Sequence, residues 1–377
     1  MRLQQLTKLK NQDWMVVREH TEELKKPLVL VFGNRFELEN PELYQEIRQM
    51  FPDGEIVFGS TAGEIVGERV HDNAITITAI EFEKSSFIIK RENILDHDKD
   101  ARTLGATLIK KLPQEGLKHV FVVSEGSFVN GSALIEGLES QYKDVTFTGG
   151  LCGDNDRFEK TLVGYNQNSK EGEIVVIGFY GDTLDISYAQ FGGWTPFGPE
   201  RIITKSDHNI LYELDHQPAL DLYKRYLGDK ASLLPQSALL YPLSVKSKER
   251  SEPIVRTVLS IDEASNTMIL AGDVPEGSVV QLMMANIDNI ADGASKAAQI
   301  AMDNRSNRPE LAILISCIGR KLVMDQRVEE EVEEVIELIG DQAVVSGFYS
   351  YGELAPFTSG KTCELHNQTM TLTLFSE

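Results

Sequence analysis

The residues that could do chemistry in this 377-residue chain stand at the abrupt ends of apolar runs. Glu64 closes "FGSTAGE", Asp154 closes "FTGGLCGD" and Glu353 closes "VSGFYSYGE". Glycine lets a chain leave a buried strand sharply and lets a ligand or another backbone come close. Gly59, Ser60, Thr61, Gly149 and Gly150 are the small residues of the first two exits. Open α/β sheets bind ligands beyond the carboxyl ends of their strands. Amides that bind an anion, beside carboxylates that bind an ammonium group, suit a zwitterion such as an amino acid. The plain alternative is that each acid caps the turn around it. Arg320, directly after "LAILISCIG", offers a planar fork for a ligand carboxylate, or one half of an internal ion pair.

Nucleophilic catalysis has one candidate pair, Cys317 with His366, as a thiol-dependent amidase or acyl transferase. No base stands at a recognisable spacing from Cys317, and free cysteine is usually a small buried apolar residue. Ser124 in "VVSEGS" lacks the GxSxG elbow. Binding without catalysis is therefore expected. "GSTAGE" has the wrong glycine spacing for a dinucleotide fingerprint and no GK[ST] occurs, which disfavours dinucleotides and nucleoside triphosphates. Cys152, Cys317 and Cys363 include no CxxC pair, so reduced thiols are expected and a cysteine metal site is not.

The elements that must position these residues repeat. "PLVLVFGN", the helical "PELYQEIRQMF" and "EIVFGSTAGE" form one set; "HVFVVSEGS", "SALIEGLESQY" and "VTFTGGLCGD" form a second. "LAILISCIGR", the acidic helix from Val328 to Ile339 and "AVVSGFYSYGE" form a third. The second and third sets sit inside a longer match. "SFIIKREN" plus the helix "DARTLGATLIKKL" precedes one, "SVVQLMMAN" plus "ADGASKAAQIAMD" the other, and Asn166-Gln167 answers Asn367-Gln368. An α/β fold of two similar lobes is expected, with mixed β-sheets flanked by helices and an internal duplication. "NAITITAIEF", "IVRTVLSIDEA" and "QTMTLTLF" read as antiparallel strands. "GGWTPFGPE" and "VKSKERSEP" read as loops, and Gln217 to Gly228 as a helix.

Composition narrows the function classes. With 37 basic and 58 acidic residues the formal charge is −21, and without a basic cluster nucleic acid is excluded as a partner. The start "MRLQQLTKLKNQDW" lacks a signal-peptide core, and no segment reaches the roughly 18 apolar residues a membrane span needs. A cytoplasmic protein without membrane insertion is expected.

"GSTAGE", "GGLCGD", "DHQPALDLY", "SCIGR" and "GFYSYGEL…HNQTM", in that order, resemble the FIST domain of bacterial signal transduction proteins, N-terminal and C-terminal parts together. The resemblance runs from about Pro27 to Phe375. It implies an N-terminal helical tail over 1–26, a FIST N-terminal domain over 27–215, and a linker helix with a FIST C-terminal domain over 216–377. It also implies a sensor of small ligands acting on a separate kinase or cyclic-dinucleotide signalling enzyme. Tyr351 and Asn367 of its motifs join Glu64, Asp154, Arg320, Glu353 and His366 in the expected ligand-binding set. His216 stands in "HQP", and stand-alone members with an H-x-P element are described as heme-binding nitric oxide sensors. That similarity implies His216 as an axial heme ligand; in the sequence, Pro218 pre-sets a helix start beside it, a carbonyl or a carboxylate such as Asp215 would hold its second ring nitrogen, and Ala219, Leu220, Tyr223 and Leu227 form an apolar stripe. The non-heme alternative is an amino-acid sensor.

Overall fold

The computed structural model describes residues 1–142, 145–248, 250, 252–357 and 362–377. Glu249 and Ser251, within the expected loop "VKSKERSEP", lie outside the described residues. The α/β class and the mixed sheets with helical flanks are those the sequence implies, and the duplicated elements are present. The repeat has three copies, each assembled on one plan.

The first unit comprises β1 (Arg2–Leu9), β2 (Leu28–Gly33), α1 (Leu43–Met50), β3 (Glu55–Ser60), β4 (Glu64–Val66) and β5 (Ala74–Glu81). The second has β6 (Ser86–Asn93), α2 (Ala101–Ile109), β7 (Leu117–Ser124), α3 (Gly131–Glu139), β8 (Thr146–Leu151), β9 (Val163–Tyr165) and β10 (Glu173–Tyr180). The third opens with β11 (Asp185–Phe191), and a separate antiparallel lobe follows before it resumes. That lobe holds β12 (Thr195–Asp207), β13 (Ile210–Leu214), α4 (Ala219–Leu227), β14 (Leu243–Lys246), β15 (Ile254–Arg256), β16 (Val258–Asp262), β17 (Thr267–Leu270) and β18 (Val279–Met284). The third unit then continues with α5 (Ile287–Asp303), β19 (Leu311–Cys317), α6 (Ile318–Met324), α7 (Glu330–Ile339), β20 (Val344–Ser350), β21 (Gly352–Pro356), β22 (Cys363–His366) and β23 (Met370–Ser376).

In every unit two parallel strands are followed by a return strand antiparallel to the first, and an outer strand pairs with the return strand: β2, β3, β5, β1; β7, β8, β10, β6; β19, β20, β23, β11. Each unit also sends a strand into a neighbour's sheet. β4 pairs with β20, β21 with β8 and β9 with β3, all antiparallel. The exchange closes a ring of three units. The turn after each first strand is anchored alike: Asn34 N donates to Ala74 O, Glu125 N to Glu173 O and Cys317 N to Thr369 O, each at 3.1 Å.

Three sequence expectations change. The first is "GGWTPFGPE", which reads as a loop but from Thr195 onward forms the start of β12. Residues 1–26 are not a helical tail: Arg2–Leu9 and Met15–Arg18 are strands, because Leu3, Gln5 and Thr7 alternate onto one buried face of β1, Leu6 fills the apolar cluster on its other face, and β1 pairs with β5 in the first sheet. The match of "SVVQLMMAN" to "SFIIKREN" is also displaced. β18 pairs inside the antiparallel lobe, and the counterpart of β6 is β11. The shared asparagines cap in both places: Asn93 Oδ1 accepts from Leu95 N at 3.0 Å and Asn286 Oδ1 from Asn289 N at 2.8 Å.

The inner faces of the three sheets meet in one apolar core, with Phe32 and Val57 from the first, Phe121 and Val123 from the second, and Ile315, Phe348 and Phe375 from the third. α2, α3, α5 and α7 cover the outer faces of the second and third sheets. α7 buries Val332, Val335 and Ile339, the stripe its period implies, and turns most of its acidic run outward, but Glu331 is buried with them.

Candidate functional site

The three glycine-ended exits converge. Gly153 N donates to Ser60 O at 3.0 Å, Tyr351 N to Leu151 O at 3.0 Å and Ala62 N to Tyr349 O at 2.8 Å, so each exit is tied to the next around the ring. Close approach explains the glycines. A Cβ on Gly149 would sit 2.1 Å from Val122 O and one on Gly347 1.8 Å from Leu314 O. One on Gly150 would meet Ile315 Cγ2 at 2.8 Å, and one on Gly59 Cys152 Sγ at 3.0 Å. What these glycines admit is protein.

The carboxylates are occupied as well. Glu64 accepts from Thr61 Oγ1 at 2.5 Å and Ala74 N at 3.1 Å; Glu353 accepts from Ser350 Oγ at 2.6 Å and from Thr369 Oγ1 and N at 2.9 and 3.2 Å. Both are fully buried, and burial pushes each up to about 8, so at neutral pH they are largely uncharged. Asp154 is not their counterpart. Glu64 faces Phe348 and Glu353 faces Gly150 in the exchanged ladders, and the residue opposite the equivalent Gly59 is Val163. Asp154 lies earlier, in the loop after β8, where its Oδ1 accepts from Arg35 Nε at 3.0 Å and Arg157 Nε at 2.9 Å.

Ser60 Oγ donates to Gly153 O and accepts from Leu162 N, and is interior. Arg320 is fully buried: Nε and Nη2 hold Glu331 at 2.9 and 2.7 Å, Nη1 donates to Gly192 O and Nη2 to Ile290 O. The ion-pair reading of Arg320 replaces the ligand clamp. His366 Nε2 lies 2.9 Å from Ala355 O, and burial lowers the ring to about 3, so it is neutral. Asn367 is buried, with Nδ2 3.5 Å from Tyr351 O. Burial raises the Cys317 thiol well above its usual range, the reverse of what a nucleophile needs. Of the expected set, Tyr351 and His366 border clefts, Tyr351 one beside Phe158 and His366 one between the third unit and the antiparallel lobe.

His216 does not fit a proximal heme ligand. It is exposed in the turn after β13, with a left-handed φ of 61°, and its N–H donates to Thr204 Oγ1. Asp215 is engaged by Arg201 Nη1 at 3.1 Å and Ile202 N at 2.9 Å. The stripe Ala219, Leu220, Tyr223 and Leu227 is consumed by the lobe's own core, and Tyr223 donates to Tyr241 O. A proximal histidine requires an apolar wall that is free to receive the macrocycle.

Clefts lie instead where units abut. A polar cleft of about 370 Å³ lies between the third unit (Ile318, Lys321, Leu322, Asp325, Val328), the first (Asp72, Asn73) and the second (Asn155, Asp156, Arg157). Lys321 Nζ donates to Ala62 O at 2.7 Å and to Asn155 Oδ1 at 3.4 Å, and pairs with Asp72. A larger cleft of about 430 Å³ lies at the next seam, between Gly126–Asn130 after β7, Tyr351 and Phe158, with the antiparallel lobe over it. At the third seam Arg35 reaches across to Asp154 and Glu159, and the exposed Phe36 ring is sandwiched by Arg35 and Arg157 at 4.3 and 4.9 Å. Sequence reading did not single out Lys321, Arg157 or Phe158. The signal for the first was its place beside Arg320 in "IGRK"; the other two stand in "DNDRF", a loop whose length hid its register.

The FIST N domain model matches residues 27–217 and the FIST C domain model residues 219–356. An uncharacterized protein of Methanocaldococcus jannaschii is similar at 22% identity over 357 residues, covering 83% of this chain and 66% of that protein. The chain thus spans less than two thirds of that relative's length. Among solved structures, a chorismatase crystal structure aligns over 100% of this chain and 98% of its own at 8% identity and a TM-score of 0.34. No helix among the described residues is long and apolar enough to cross a membrane. With FIST N over its first half and FIST C over most of its second, the chain belongs to the FIST family, whose domains are associated with small-ligand sensing in signal transduction.

Proposed function

We propose that the chain is a cytoplasmic sensor that takes a small aliphatic amino acid in the polar cleft and reports to a separate kinase or cyclic-dinucleotide enzyme. One observation carries this reading: Lys321 and Arg157 face the same cleft as Asp72, Asp156 and Asp325, over aliphatic Ile318, Leu322 and Val328. Cations suit the ligand carboxylate, acids its ammonium, and the aliphatic floor its side chain. The zwitterion chemistry expected of the strand exits is supplied by these neighbours, because the exit acids are spent on their own turns. Calorimetric titration with L-leucine tests it. Saturable binding should weaken roughly 10- to 100-fold in Lys321→Met, the loss of about 1.5–3 kcal/mol typical of a charged hydrogen bond. Absence of binding, or binding indifferent to both Lys321→Met and Arg157→Gln, overturns the assignment.

The heme-dependent nitric oxide reading makes a different demand, since it needs hemin bound through His216. Hemin titration of wild type and His216→Ala should give matching visible spectra. A Soret band present in wild type and lost in the variant would restore the heme reading.

A further inference from the structure

We infer that the larger cleft at the neighbouring seam is a second ligand site, for a neutral planar ring with hydrogen-bonding edges, distinct from the polar cleft. Its position is equivalent by the threefold plan: each cleft lies beside the turn that follows a first strand, against the next unit's exit. Its chemistry differs. None of its described lining residues is charged, and it presents the rings of Phe128, Phe158 and Tyr351 with the amides of Asn130 and Asn209 and the Ser260 hydroxyl. Flat apolar faces with uncharged donors and acceptors match an uncharged aromatic or heteroaromatic molecule, and the volume of about 430 Å³ suits one.

The wall is built to hold those rings. Phe158 takes a left-handed φ of 52°, a conformation bulky residues avoid. It is held there because Tyr351 Oη accepts from Phe158 N at 3.0 Å and donates to Asn155 O at 2.9 Å. The result is a stacked pair, with ring centroids 4.4 Å apart and planes 18° from parallel. A loop held out of its preferred conformation to stand one aromatic ring against another at a cavity edge is a feature that packing alone does not require. Asn130 is fixed as well: its Oδ1 caps α3 through Ala133 N at 3.0 Å, and its Nδ2 donates to Asp273 Oδ1 at 3.1 Å. A ring in the cleft would therefore touch the body through Tyr351 and the antiparallel lobe through Asn209 and Ser260 together.

The test is equilibrium dialysis and saturation-transfer NMR of the full chain with indole and with adenine, alongside L-leucine. At least one ring probe should bind saturably. Leu259→Trp should abolish that binding, because Leu259 lines the cleft yet is 39% exposed, so a larger side chain fills the mouth without disturbing the core. Tyr351→Leu should weaken it at least about fivefold through the lost ring face. Lys321→Met should leave it unchanged while impairing L-leucine, which separates failure of this site from failure of the polar one. No saturable binding of either probe overturns the inference. So does binding that survives Leu259→Trp, or that falls with Lys321→Met.

Discussion

Glu64 and Glu353 show how one residue type at a repeated position can serve the fold rather than a ligand. Each carboxyl ties its own turn to the first residues of the return strand, and each is held near 8 against an ordinary value of 4.5, chiefly by burial. The sign follows from proton bookkeeping. Between about 4.5 and about 8 the unfolded chain loses a proton that the folded chain keeps. The contribution is therefore complete at low pH and is lost as pH rises toward 8. Relative to Glu353→Gln, the wild-type chain should lose about 1.4 kcal/mol of stability per pH unit across that window. Urea midpoints at pH 5 and pH 8 measure it, and a wild-type chain that gains on the variant as pH rises would contradict the burial account.

Among the elements, the three exits owe their likeness to close packing. β20 runs beside β19 so closely that the Cβ of an alanine at 347 would reach 1.8 Å from Leu314 O, a backbone atom that cannot rotate away. Gly347→Ala should cost roughly 2–4 kcal/mol through backbone displacement. Thermal unfolding of the purified variant checks this; a shift in Tm of less than a degree would mean that the ladder has slack. The same reasoning explains why glycine recurs at the ends of these strands.

The whole molecule is a ring of three units, each completed by a strand from a neighbour, with the antiparallel lobe inserted into the third between β11 and α5. Exchange of strands couples the units, since loss of β4 from β20 opens both the first unit's exit and the third unit's sheet. Ile65→Ala, which empties a fully buried position on β4, should cost about 2–5 kcal/mol. It should also raise amide exchange in β20 and β5 together, in one cooperative step. Exchange confined to residues 64–66 would show the units to be independent.

The sequence by itself determined the α/β class, the helices and parallel strands of each unit and the three repeats, because period and glycine punctuation are local properties. It also exposed Tyr351 through its motif. Only the tertiary structure decided where the repeats begin. The segment of β1 is expected as part of a helical tail and becomes a strand through pairing with β5, and β18 resembles β6 in sequence but is claimed by the inserted lobe. The same holds for the sites. Whether Glu353, Asp154 or Arg320 meets solvent or a partner depends on residues far along the chain, such as Thr369, Arg35 and Glu331. Lys321, Arg157 and Asp72 share a cleft because three units meet there, and no spacing along one chain encodes that meeting.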